Sequence, residues 1–86
     1  MSGVQIGQVT QYTGKISAAV LALTGTLRVG DTVHVLGRTT DLQQEVTSLQ
    51  IEHQAVDEAG PGHEVELRVK RRVRPRDKVF KITGKE

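Results

Sequence analysis

Apolar and polar residues alternate along this chain with a period of two rather than the 3.6 of a helix. The clearest run is His63 to Lys70, in which Val and Leu alternate with Glu, Arg and Lys. Such alternation is typical of a β-strand with one buried and one solvated face. Two further half-buried strands are predicted at Thr32 to Leu36 and at Glu45 to His53. In the second of these, the residues predicted to share one face are Thr47, Leu49 and Ile51.

Turn-forming residues separate these runs at short intervals. They include Gly30-Asp31, Gly37 and Gly60-Pro61-Gly62, where Gly permits positive φ and Pro fixes φ near −65°. The pattern contains no convincing helical segment, and closure of a sheet removes its exposed edges. We therefore predict an all-β fold, a small closed or nearly closed antiparallel barrel. With 86 residues, the chain is expected to form a single domain over residues 1–86.

The segment Lys15 to Leu23 departs from simple alternation because both of its faces are apolar. The favoured interpretation is a strand whose second side is covered by a loop or a chain end. The alternative is a partner-binding surface on the face of Ala19, Leu21 and Leu23, which a Leu21→Lys substitution would abolish.

The order and spacing of several short motifs over most of the chain resemble domain II of translational GTPases. The resemblance is closest to small stand-alone elongation factor-like proteins and extends to the C-terminal barrel of collagenase-like peptidases. One departure is Pro75-Arg76, where the family usually has an acidic residue and Gly before Asp77. The matching motifs include Gly7-x-Val9, Leu23-Thr24-Gly25-x-Leu27-x-Val29-Gly30-Asp31-x-Val33, Gly37-x-Thr39-Thr40-Asp41 and Asp77-x-Val79.

The nucleotide-binding loop of the GTPases is not expected here. That loop requires Gly, four residues and then Gly-Lys-Ser/Thr, because its backbone amides hold the phosphates while the hydroxyl binds magnesium. Gly14-Lys15 is followed by Ile16, and Val9 occupies the earlier glycine position. A second pair, Gly84-Lys85, ends in Glu86. Both pairs are therefore interpreted as turns, and no nucleotide partner is predicted.

Other catalytic or cofactor chemistry is also not expected. The chain has no cysteine, and His34, His53 and His63 lack the spacing of metal ligands. We predict a non-enzymatic protein without metal or cofactor. The longest apolar stretch, Ala18 to Leu23, is too short to span a membrane, so a cytoplasmic protein with no membrane partner is expected.

The charge distribution is strongly asymmetric. Residues 68–81 contain eight Lys and Arg residues and one Asp, a net charge of +7. The first 67 residues contain three Lys and Arg residues and eight Asp and Glu residues, a net charge of −5. We expect the basic segment to leave the sheet and form a patch with a projecting tip at Arg71 to Arg76. The predicted phosphate contacts are Arg68, Lys70, Arg71, Arg72, Arg74, Arg76 and Lys78.

Two functions follow as hypotheses. The first is a translation elongation factor-like module that binds RNA or the ribosome through the basic patch, since the resemblance implies contacts to ribosomal RNA. The second is a protein-interaction module that docks on a separately encoded enzyme, such as a collagenase-like peptidase, through the apolar face of Ala19 to Leu23. A simpler explanation of the basic residues is solubility and pairing with nearby acids such as Glu64 and Glu66.

Overall fold

The computed structural model describes residues 3–82, which form β-strands, turns and loops. The pair Gly84-Lys85 lies outside this range. Within it, no helix is long and apolar enough to cross a membrane. The strands are β1 Gly3–Thr13, β2 Ala18–Leu23, β3 Leu27–Arg28, β4 Thr32–Leu36, β5 Asp41–Glu45, β6 Leu49–Ile51, β7 Gln54–Val56, β8 Glu58–Ala59, β9 Glu64–Arg68 and β10 Lys78–Ile82.

Eight of the strands form one antiparallel sheet in the order β5-β4-β10-β1-β2-β9-β6-β7, and β3 pairs with β8. The sheet curves into a nearly closed barrel, as predicted. Between β5 and the chain after β9, the side chain of Gln44 takes the place of a backbone ladder. Its Nε2 donates to the carbonyl of Arg68 at 2.9 Å, and its Oε1 accepts from the amide of Lys70 at 2.8 Å.

The interior is filled by one cluster of aliphatic side chains. In strands such as β9, alternate residues point inward, so that Val65 and Leu67 enter the core and the charged residues stay outside. The four largest fully buried side chains are Leu21, Leu27, Leu49 and Leu67. The two aromatic rings, Tyr12 and Phe80, are only half-buried.

Strand β4 matches the predicted run Thr32 to Leu36, and β9 confirms the core of the run His63 to Lys70. The prediction of one strand from Glu45 to His53 is wrong, because β5 ends at Glu45 and β6 begins at Leu49. Between them, the amide of Val46 donates to the carbonyl of Asp31, and its carbonyl accepts from the amide of Gly30, both at 2.8 Å. Val46 is buried by this detour, and Thr47, predicted to face inward, is exposed.

The segment Lys15 to Leu23 is also partly corrected. Residues 14–17 form the turn between β1 and β2, with Ser17 at φ 53°, and β2 begins at Ala18. The predicted partner surface on Ala19, Leu21 and Leu23 is wrong, because these three side chains belong to the core. On the outer face of β2, Val20 and Ala22 remain half-buried.

Candidate binding surfaces

The basic loop between β9 and β10 lies against the barrel instead of projecting from it. Val69 and Val73 are both buried within this loop. Near its end, the amide of Arg76 donates to the carbonyl of Val9 at 2.7 Å, and the amide of Val9 donates to the carbonyl of Asp77 at 2.8 Å. The prediction of a projecting tip at Arg71 to Arg76 is therefore wrong, and these hydrogen bonds attach the end of the loop to β1.

A tight turn over Arg74 to Asp77 ends the loop. The amide of Asp77 donates to the carbonyl of Arg74 at 3.1 Å and closes the turn. Pro75 is the second residue of the turn, and Arg76 is the third, with φ 77°. These are the features of a type II turn, in which the third position favours Gly. A non-glycine residue held at positive φ costs about 1–3 kcal/mol. The chain therefore has an arginine at a position where glycine would be more stable.

Four cationic residues surround one groove beside this turn. Arg74, Arg76 and Lys78 come from the predicted phosphate contacts, and Arg38 comes from the turn between β4 and β5. The groove has a volume of about 690 Å³ and is called the basic groove here. Sequence reasoning missed Arg38, because only the pairing of β4 with β10 brings its turn beside the loop. The residues that line the basic groove are Leu36, Gly37, Arg38, Arg74, Pro75, Arg76, Asp77 and Lys78.

The structure separates the other predicted phosphate contacts from this groove. Arg68 lies on the outer face of β9, in a small recess that also contains Glu66. Lys70, Arg71 and Arg72 are exposed on the loop and line neither the groove nor the recess. Within residues 3–82, none of the seven predicted phosphate contacts forms a salt bridge, so no acid of the described chain pairs with their charges.

A second groove, the acidic groove, crosses the outer face of β2, β9 and β6. Register places Val20 opposite Glu66, and Glu66 opposite Gln50, so a half-buried valine lies beside a carboxylate. The groove has a volume of about 460 Å³, and no Lys or Arg lines it. Its lining consists of Val20, Gln50, Ile51, Glu52, His53, Gly62, His63, Glu64, Val65 and Glu66.

The turn between β6 and β7 forms one wall of the acidic groove. Its two central residues, Glu52 and His53, both have positive φ, at 50° and 68°. A two-residue hairpin with this geometry is a type I′ turn, which usually contains Asn-Gly or a similar pair. Glu52 and His53 therefore adopt, next to the groove, a backbone conformation that is unfavourable for residues with a side chain.

No group of three or more His, Cys, Asp or Glu side chains within residues 3–82 is placed to hold a metal ion. His34 is hydrogen-bonded to Asp41, with 2.6 Å between its Nε2 and the Oδ1 of Asp41. Both grooves offer fixed surface charge of one dominant sign, which selects partners of the opposite sign.

Residues 18–79 match the model of elongation factor Tu domain 2. Over 78 residues the chain is 36% identical to an uncharacterized protease of Methanocaldococcus jannaschii, covering 90% of this chain and 19% of that protein. It is 29% identical over 85 residues to a collagenase of Porphyromonas gingivalis, covering 96% of this chain and 20% of the collagenase. The chain thus spans about a fifth of the length of the curated relatives that it matches.

A solved structure shares the fold. The crystal structure of the C-terminal domain of a Geobacillus thermoleovorans protein described as a U32 peptidase matches with a TM-score of 0.86 at 24% identity, covering 92% of each chain. The relatives favour the peptidase-associated hypothesis over RNA or ribosome binding, while the domain 2 match supports the predicted barrel.

Proposed function

We propose that this chain, which belongs to the elongation factor Tu domain 2 family, is a non-catalytic binding barrel. The enzyme with which it works would be a collagenase-like peptidase. The observation that carries this proposal is the 36% identity to the Methanocaldococcus jannaschii protease, which covers 90% of this chain. The Porphyromonas gingivalis collagenase adds support, because its match covers 96% of this chain. Peptide-bond hydrolysis would be carried out by a separate catalytic domain, either on the same polypeptide or on another.

We assign the acidic groove of this chain as the surface that binds the catalytic domain. Interfaces combine an apolar centre with a polar rim, and this groove has half-buried Val20 and Ile51 beside three glutamates. The partner surface would be apolar with Lys or Arg around it. This assignment places docking on the outer face of β2, since the inner face, with Leu21 at 0% exposure, is unavailable to a partner.

A chimera tests the proposed function. The segment of the Porphyromonas gingivalis collagenase that matches this chain is replaced by the chain itself, and collagen hydrolysis is compared with that of the deletion lacking the segment. We expect the chimera to recover most of the activity lost in the deletion. A second chimera that carries the Geobacillus thermoleovorans domain is the matched control, because it has the same fold.

Two surface variants then locate the contact. Val20→Lys in the acidic groove is expected to lower kcat/KM of the chimera about tenfold, equivalent to about 1.4 kcal/mol. Val29→Lys, at an exposed position outside both grooves, is expected to have little effect. The proposal fails if the chain folds within the chimera, as judged by circular dichroism, yet leaves it as inactive as the deletion while the Geobacillus thermoleovorans control is active.

A further inference from the structure

We infer that the basic groove of one copy of this chain docks on the acidic groove of a second copy, so that the chain associates head to tail. The inference rests on the positions, charges and apolar residues of the two grooves and does not depend on a peptidase partner. A docked copy would cover the surface assigned above to the catalytic domain, so the two partners would exclude each other. Only this last consequence rests on the proposed function.

The two grooves lie on opposite sides of the barrel. Six strands form its ring in the order β5-β4-β10-β1-β2-β9, which the bonds of Gln44 to Arg68 and Lys70 close. In this ring β2 is the third strand from β4, and β9 is the third from β10. The basic groove lies beside β4 and β10, whereas the acidic groove lies on β2, β9 and β6. One copy can therefore bind two neighbours at once, one on each side.

Within one copy the grooves are too far apart to neutralise each other. Strand pairing traces a row from Lys78 through Gln8 and Ala22 to Glu64. Three interstrand steps place Lys78 and Glu64 roughly 14 Å apart along the surface, beyond the Debye length of about 8 Å. The salt bridges within residues 3–82 include no cation of the basic groove and no glutamate of the acidic groove. Both sets of charges are therefore available to another molecule.

The single acid that lines the basic groove does not oppose its cations across the surface. Asp77 is 5% exposed, and its Oδ2 accepts from the amide of Arg74 at 2.9 Å. Its carboxylate is thus used within the turn, while the side chains of Arg38, Arg74, Arg76 and Lys78 remain exposed. The groove presents a surface of positive charge to a partner.

The two grooves complement each other in charge and in apolar surface. Four cations line the basic groove, and three glutamates line the acidic groove. Leu36 is 37% exposed at the basic groove, whereas Val20 and Ile51 are half-buried in the acidic groove. An exposed leucine can therefore pack on a recessed apolar floor while opposite charges pair around it. This is the arrangement of an interface with an apolar centre and a polar rim.

Backbone conformation supports a binding role for both grooves. Each contains a charged residue at positive φ, Arg76 at 77° in the basic groove and Glu52 at 50° in the acidic groove. Backbone strain of this kind is concentrated at ligand-binding sites. A second copy is favoured over another charged protein, because this chain itself carries the surface that complements each groove.

The type of assembly follows from the use of two different surfaces. A contact between unlike surfaces is heterologous, so it continues from copy to copy unless the rotation closes a ring. The association should therefore not stop at a dimer. It should also be weak, with a Kd on the order of 0.5 mM, because small contacts rich in exposed charge contribute little free energy.

Sedimentation equilibrium over a concentration series tests the inference. At low salt the mean mass of the wild-type chain should be near that of the monomer at about 20 µM. At about 1 mM it should exceed twice the monomer mass, as open association requires. Most of this gain should be lost in about 0.5 M salt, because screening weakens pairs of exposed charges.

Two double variants each disable one groove. The basic-groove variant is Arg38→Gln with Arg74→Gln, and the acidic-groove variant is Glu52→Gln with Glu64→Gln. Each alone should remain near the monomer mass at about 1 mM, because an open chain needs both grooves. In an equimolar mixture each variant supplies the groove that the other lacks. The mixture should form one-to-one pairs, with a mean mass of about 1.5 times that of the monomer and never above twice.

Matched controls remove the same charges from exposed positions outside the grooves. They are Arg71→Gln with Arg72→Gln, and Glu45→Gln with Asp57→Asn. Both controls should associate like the wild type, to within about twofold in Kd, because their side chains would act only through the screened long-range field. Thermal melting shows whether each variant is folded.

Four results would overturn the inference. They are a wild-type chain that stays monomeric at about 1 mM, a wild-type chain that stops at a dimer, a mixture of the groove variants that stays monomeric, and equal losses in groove and control variants. If the wild type is monomeric, binding of poly-glutamate that the basic-groove variant loses would assign that groove to another acidic protein. Docking on a peptidase is measured at micromolar concentration, where the free chain is monomeric, so failure of one proposal is distinguishable from failure of the other.

Discussion

Gly37 contacts the carboxylate of Asp77, and this contact joins the turn between β4 and β5 to the turn that precedes β10. A Cβ at position 37 would collide with the carboxylate. The two turns supply all the cations of the basic groove except Lys78, which begins β10. A residue without a side chain therefore determines how closely the two walls of the groove approach.

A Gly37→Ala substitution is expected to destabilise the barrel by about 1–3 kcal/mol, because one of the two turns must shift to accommodate the added methyl group. The measurement is the free energy of unfolding from urea titration. Gly60→Ala is the matched control, since a Cβ at position 60 would meet no atom within 4 Å. Equal stability of the two variants would show that the contact between Gly37 and Asp77 does not restrict the turns.

Replacing Arg76 by two different small residues separates its charge from its backbone. Arg76→Gly should raise stability by about 1 kcal/mol, a rise in Tm of about 4–8 °C, because Gly adopts φ 77° without strain. Arg76→Ala removes the same charge but keeps the strain, so it should not raise Tm. Calorimetric melting of both variants decides the point, and equal Tm values would refute the strain at this position.

The Gln44 side chain is expected to stabilise the nearly closed edge of the barrel. Gln44→Met should cost about 1–3 kcal/mol, because the amide of Lys70 and the carbonyl of Arg68 lose their partner. Gln43→Met, at the exposed neighbouring position, is the control. Faster hydrogen exchange at the Lys70 amide in the first variant alone would identify the lost bond, whereas unchanged exchange there would contradict the role of Gln44.

Leu21→Lys is expected to unfold the protein and not merely to block a partner. The side chain is 0% exposed, and an unpaired charge in an apolar core costs about 4 kcal/mol or more. Val4→Lys, at a position that is 55% exposed, should change stability by less than about 0.5 kcal/mol. Circular dichroism at 25 °C distinguishes the outcomes, and a folded Leu21→Lys variant would contradict the placement of Leu21.

Local alternation was sufficient to predict the all-β fold, because strands such as β4 and β9 each bury one face along a continuous run. It failed at Val46, where the backbone leaves β5 to bond with Gly30 and Asp31. At Leu21 it left a partner surface open as an alternative, since a strand apolar on both faces does not reveal which face is the core, and that alternative is wrong. Both points concern tertiary contacts that a period of two cannot encode.

The binding surfaces were predictable only where they are local in sequence. Arg74, Arg76 and Lys78 are close together in the chain, so their shared location could be inferred from composition. Arg38 joins them only through the pairing of β4 with β10, which no local pattern reveals. The acidic groove depends on the register of Val20, Glu66 and Gln50 across three strands and was not predicted for the same reason.

The proposed docking of the barrel on a peptidase is tested most directly by calorimetric titration. The purified chain is titrated into the Porphyromonas gingivalis collagenase from which the matching segment has been removed, and the excised segment serves as the positive control. We predict a one-to-one complex with a Kd near the micromolar range, about −8 kcal/mol. Binding should be abolished by Val20→Lys and retained by Val29→Lys. Binding of the excised segment but not of this chain, or equal binding of the two variants, would contradict docking through the acidic groove.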